Sequence, residues 1–163
     1  MKNKFTFTVL VLLSTLIFAC KKDTQITGYN NYYFRAQNNS SLWDATQGAY
    51  LTPSNNKLDT LTFFGSKGEE HLSVIIYKNS TDQYKLDLTK TKFYTTVGQD
   101  AVASSYLLDS TAANKLNFNI STQNQIAAGN FNLSFKKVSG ADSFPATVVF
   151  TEGEFILPRA TGL

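Results

Sequence analysis

The residues able to do chemistry in this chain are few, and their spacing limits what they can do. His71 is the sole histidine, so any Ser–His–acid or Cys–His mechanism would have to run through it. It opens an alternating apolar run directly after Glu69-Glu70, which places it at a solvent-facing strand edge with no partner fixed by sequence. One histidine and one cysteine fall short of the three or four N/S ligands of a zinc site. No Asp-x-Asp-x-Asn-Gly calcium loop occurs among the scattered acids. Glu152 and Glu154 are the best carboxylate pair. At i and i+2 in a strand they share a face roughly 7 Å apart, within the spacing of a glycoside hydrolase. Gly153 between them, however, is a usual mark of a bulge or turn. Catalytic, metal and cofactor residues are therefore assigned to none, with a carbohydrate hydrolase on this acid pair kept as the alternative.

Tyrosine supplies the positive signal. Tyr33, Tyr50, Tyr77 and Tyr94 lie in or next to strands, several of them on the polar phase, where a ring with a hydroxyl suits stacking on a sugar or a protein surface. Ordinary sheet packing uses the same residue type. Trp43 belongs with the core.

The single cysteine ends a different pattern. Lys2 and Lys4 precede the apolar run Phe5–Ala19, and Ile17-Phe18-Ala19-Cys20 closes it. Fifteen or so apolar or small residues suit a signal h-region and fall short of the roughly 20 that a spanning helix needs. The arrangement resembles the lipobox of bacterial lipoproteins, which implies cleavage before Cys20 and a diacylglycerol thioether on its sulfur. The domain expectation follows: signal peptide 1–19, acylated cysteine and polar tether 20–31, one globular domain 32–163. A flexible tether of ten residues spans roughly 15–20 Å, so the domain stays near the bilayer. Lys21 after the cysteine, by analogy with lipoprotein sorting, argues against retention at the inner membrane and so for the outer membrane, on either face.

The formal charge is +3, about +1 once Lys2 and Lys4 leave. That balance excludes the clustered basic face of a nucleic-acid binder. With 42% hydrophobic and 13% aromatic residues, the chain has enough apolar surface for a packed core.

The elements that carry these residues have period two. Phe34 and Ala36 alternate with Tyr33 and Arg35; Leu72, Val74 and Ile76 with Ser73 and Ile75; Leu116, Phe118 and Ile120 with asparagines; Phe131, Leu133 and Phe135 with Asn130, Asn132 and Ser134. Further strands are expected at Leu42–Leu51, Leu58–Gly65, Tyr84–Leu88, Thr91–Val97, Ala146–Thr151 and Glu154–Leu157. Asn, Ser, Gly and Pro clusters separate them. Asp100–Leu108 alternates weakly and reads as a short helix or crossing loop. The expectation is an all-β fold, an antiparallel β-sandwich of about 8–10 short strands.

Phe34-x-Ala36 with Trp43-x-Ala45, then Gly129-x-Phe131-x-Leu133-x-Phe135 and Glu152-Gly153-x-Phe155, resemble small lipoproteins common in the Bacteroidota. The resemblance implies one β-sandwich behind a lipobox, each of the last two strands bearing a Gly-x-Phe signature. It implies no activity, because that family has none established. Asp59-Thr60-Leu61 and Asp109-Ser110-Thr111 resemble the three-residue O-glycosylation acceptor of exported proteins in that group, with Thr60 and Ser110 as acceptors. Together these features point to a non-enzymatic binding or accessory module at the cell envelope. Its expected partners are the membrane, through the acyl anchor, and a glycan or another envelope protein.

Overall fold

A computed structural model describes residues 31–53, 58–98 and 100–160. The leader at 1–19, Cys20, the tether up to Asn30 and Tyr29 lie outside the described residues. Eleven strands, all paired antiparallel, form the structure, and no helix occurs among the described residues. In chain order they are β1 (Tyr33–Asn38), β2 (Ser41–Asp44), β3 (Gln47–Leu51), β4 (Thr60–Lys67), β5 (Glu70–Lys78), β6 (Tyr84–Leu86), β7 (Lys92–Val97), β8 (Ala101–Leu108), β9 (Lys115–Ser121), β10 (Ile126–Gly140) and β11 (Thr147–Pro158). The fold is all-β and sandwich-like, as the period-two pattern predicts.

The sheet runs β2-β1-β11-β10-β8-β7-β5-β4-β3, with β6 added to β5 and β9 to β10. It does not lie flat. Phe63 of β4 meets Phe155 of β11 with ring centroids 5.1 Å apart, although four strands separate them in the sheet order. Phe93 of β7 likewise meets Phe150 of β11 at 5.3 Å. Such contacts require the two halves of the sheet to face each other over one core. Beyond β3 the roll is tied by a parallel bridge from Tyr50 to Arg159 and by the Ala160 amide donating to the Tyr50 carbonyl at 2.9 Å.

β10 makes the turn between halves. Its first part pairs β9 and its last part pairs β8, while β11 follows it along nearly its whole length. Here the two Gly-x-Phe signatures are reciprocal: Gly129 faces Phe155 and Phe131 faces Gly153 across the β10–β11 ladder. Phe131 lies over the bare Gly153, where an added Cβ would come within 2.5 Å of the ring. Gly129 serves a different neighbour. A Cβ there would strike the Asn117 carbonyl and lie 2.9 Å from the Phe118 Cα, so the main chain of β9 rests on that glycine.

Four sequence expectations are corrected. Asp100–Leu108 is neither helix nor loop; residues 101–108 are β8, inside the sheet between β7 and β10. Its pattern is disguised because Ser104 takes a core position with Tyr106 and Leu108, hydrogen-bonded to Thr95 Oγ1 at 2.7 Å, while Leu107 faces outward. Leu42–Leu51 divides into β2 and β3 at Ala45-Thr46. Ala146–Thr151 and Glu154–Leu157 join into β11 through a bulge at Glu152, whose φ is +51°. His71, finally, is not at a sheet edge: β5 is flanked there by β4 and β7.

Candidate functional site

Inward residues of β5 are Leu72, Val74 and Ile76, so Ser73, Ile75 and Tyr77 face out. Two loops rise beside that outer face, and each is locked by the same local device. In the β6–β7 loop, Asp87 Oδ1 accepts from the Thr89 amide at 3.0 Å, the Thr89 hydroxyl at 2.8 Å and the Lys90 amide at 3.1 Å. The β8–β9 loop repeats it: Asp109 Oδ1 accepts from the Thr111 amide at 2.9 Å and hydroxyl at 2.7 Å. These Asx turns replace lost ladder bonds with side-chain acceptors. Thr91, fully buried, then bonds both N and O of Ile75 through its hydroxyl and so continues the β5 ladder where β6 ends. Asn114 anchors the second loop, donating to the Asp109 carbonyl and accepting from the Ser134 amide at 2.8 Å.

Between the loops lies a groove of about 790 Å³, with Tyr77, Lys85 and Leu86 at its base, Leu88, Thr89 and Lys90 on one wall and Ser110 on the other. Tyr77 is 41% exposed and stands directly across the ladder from Lys85. Among the described residues Lys85 has no carboxylate partner. Lys90 has only a loose one in Asp87, at 3.7 Å. The groove therefore offers a flat ring, two ammonium groups and two hydroxyls, together with the Asp87 carboxylate, whose Oδ1 is engaged by its own turn. The set is able to bind a ligand with an apolar face and negative or hydroxylated edges.

Both turn aspartates titrate below their ordinary value. Burial alone would raise Asp87, but the Thr89 hydroxyl and the Thr89 and Lys90 amides overcome it. For Asp109 the Thr111 hydroxyl, its amide and Lys136, at 3.0 Å, hold the carboxylate ionised. Folded values below unfolded ones mean stability that is present above the unfolded pKa and lost as pH falls through the folded one. Thermal unfolding followed from pH 7 to pH 2 should show the wild type losing stability below about pH 4. The Asp87→Asn/Asp109→Asn chain should start lower and lose less over that interval. Parallel curves for the two chains would refute the linkage.

The tyrosines do not converge. Tyr33 is half-buried on β1 beneath the Arg35 guanidinium, 4.6 Å from its ring. Tyr94 stacks on His71 at 4.7 Å on the outer face of β7 and β5, six residues of β5 away from Tyr77. Tyr50 is a core residue, 2% exposed, and offers no ligand surface. Its phase follows from the Ala45-Thr46 break: a single strand in phase with Trp43 would have turned Tyr50 outward, whereas β3 restarts with Tyr50 inside.

His71 does have partners. Ser66 Oγ is 2.8 Å from Nδ1, and Thr96 Oγ1, which bonds Glu69, is 3.4 Å from Nε2. At this point β5 is paired on one side with β4 through Ser66 and on the other with β7 through Tyr94. Glu152 and Glu154 do share a shallow groove with Arg35 and Leu42. Arg35 engages Glu154 Oε1 through Nε at 2.7 Å and Nη2 at 2.5 Å, which commits that carboxylate to an ion pair. Among the described residues no three His, Cys, Asp or Glu side chains gather to hold a metal.

Ser110 is exposed at the tip of its turn, whereas Thr60 is half-buried at the start of β4, opposite Tyr77. Lys85, Lys90 and Thr89 were not singled out from sequence. Their signal was present, because Asp87-Leu88-Thr89 repeats the pattern of Asp109-Ser110-Thr111. No protein-family model, curated protein or solved structure matches the chain.

Proposed function

We propose that this chain is a lipid-anchored protein of the outer membrane whose β-sandwich is a non-enzymatic module binding acidic glycan. The anchor rests on Cys20 and the apolar run before it; intact-protein mass spectrometry should find a diacylglycerol thioether there, and a free thiol would remove the anchor. Protease shaving of intact cells distinguishes the surface from the periplasmic face.

The observation that carries the binding proposal is the exposed Tyr77 ring set opposite Lys85 in a groove with walls held by two hydrogen-bonded turns. A sugar ring stacks on the tyrosine, and a carboxylate or sulfate on it meets Lys85 and Lys90. Rigid walls reduce the ordering cost of binding. The acylated full chain, in detergent, is tested on an array of uronate-containing, sulfated and neutral oligosaccharides. Acidic glycans should bind over neutral ones. Tyr77→Ala should weaken binding at least tenfold, about 1.4 kcal/mol, and Lys85→Glu should abolish the preference for acid. Equal binding by wild type and Tyr77→Ala would dismiss the groove, and no binding at all would dismiss the glycan.

A further inference from the structure

The sheet has one long unpaired edge among the described residues. Among the described residues β9 pairs only with β10, leaving the other side of Lys115–Ser121 unpaired over seven residues, roughly 23 Å. The other free edges are short: β2 has four residues and β6 three. β3 is tied on its outer side by Arg159 and Ala160. Folded proteins blunt a long edge with charge, proline or a bulge. From Leu116 to Ile120 β9 has none of these.

What β9 has is internal symmetry. Leu116-Asn117-Phe118-Asn119-Ile120 reads the same, by side-chain class, in both directions about Phe118. An antiparallel pair formed about a two-fold axis at Phe118 sets Leu116 against Ile120, Asn117 against Asn119 and Lys115 against Ser121. No like charges meet, and each face of the pleat matches its own kind. Asn117 already donates to Asn130 Oδ1 at 3.1 Å, so its amide is aligned for a ladder running across strands. Beside the edge is a groove of about 560 Å³ between Leu116, Phe118 and Ile120 and the facing Leu58, Lys78 and Tyr84, open to an added strand.

We propose that β9 is an isologous interface through which two copies of this chain join edge to edge, extending the sheet across a two-fold axis. A foreign extended peptide could use the backbone bonds but would have no reason to match the palindrome. Second copies match it by construction.

The test uses the full chain carrying Cys20→Ala, which removes the native thiol. At roughly 100 µM, suited to a small and transient interface, sedimentation velocity should show a dimer of the 18.1 kDa chain. Asn117→Lys/Asn119→Lys sets lysine against lysine twice and should raise the dissociation constant at least tenfold. Asn117→Lys/Asn119→Asp sets opposite charges together and should restore the dimer. Register is read separately. Phe118→Cys should crosslink on oxidation, since paired Cα atoms lie about 4.5–5.5 Å apart. Asn119→Cys should not, because its two copies would lie roughly 8 Å apart. A wild-type chain that stays monomeric, a double-lysine chain that dimerises unchanged, or crosslinking at 119 as fast as at 118 would each overturn the proposal.

Discussion

Gly129→Ala is expected to strip β9 from the sandwich. The added methyl would fall on main-chain atoms, the Asn117 carbonyl and the Phe118 Cα at 2.9 Å, and a backbone cannot rotate away as a side-chain tip can. Either β9 withdraws or β10 bends, and both expose Leu116, Phe118 and Ile120, which pack on the core. Overpacking a tight site costs about 1–3 kcal/mol and occasionally more; with the loss of β9 contacts we expect about 3 kcal/mol. For a domain of this size that is a fall in Tm of roughly 10 °C. Amide exchange should localise the damage, with residues 115–121 losing protection while β4 and β5 retain theirs. Uniform loss of protection would place the defect elsewhere, and an unchanged Tm would show that the close approach is readily relieved.

Phe155→Ala is the second large effect. The ring is 1% exposed and meets Phe34 at 5.7 Å, Phe63 at 5.1 Å and Phe131 at 6.4 Å, joining β1, β4 and β10 through β11. Both halves of the rolled sheet touch it, so its removal opens a cavity that neither half can close alone. Buried phenylalanine truncations cost about 3–5 kcal/mol, a large share of a typical stability of 5–15 kcal/mol. Urea unfolding should show the midpoint falling with the slope unchanged. Phe155→Leu should recover more than half of the loss, because most of the volume returns. A stability loss under about 1 kcal/mol, taken from the midpoint shift and the slope, would mean that the two halves close over the gap after all.

Strand phase was legible wherever apolar residues alone occupied the inner face. β1, β5, β9 and the first half of β10 follow the written alternation residue by residue. It failed where a polar residue sat inside, as Ser104 does in β8, because its partner Thr95 comes from another strand and satisfies it there. It failed again at Ala45-Thr46, where a break changes the phase without a proline or glycine to announce it, whereas at Glu152 the neighbouring Gly153 did mark the bulge. The candidate groove was half legible. Tyr77 and Ser110 were both singled out, but their meeting depends on β8 and β10 bringing the β8–β9 loop beside β5, a long-range pairing that local patterns do not contain. The reciprocal placement of the two Gly-x-Phe signatures is of the same kind: each motif is visible alone, and their exchange of partners exists only across the ladder.

The first strand of the sandwich is sealed by the last: β1 lies between β2 and β11, with Tyr33 opposite Ile156. A ribosome must therefore deliver β11, more than 100 residues after β1, before Phe34 can be covered, and native closure lags synthesis instead of accompanying it. Until then the aromatic-rich flank of β1 that β11 covers stays open. Grafting β11 onto the start of the chain, by circular permutation, should shorten that window.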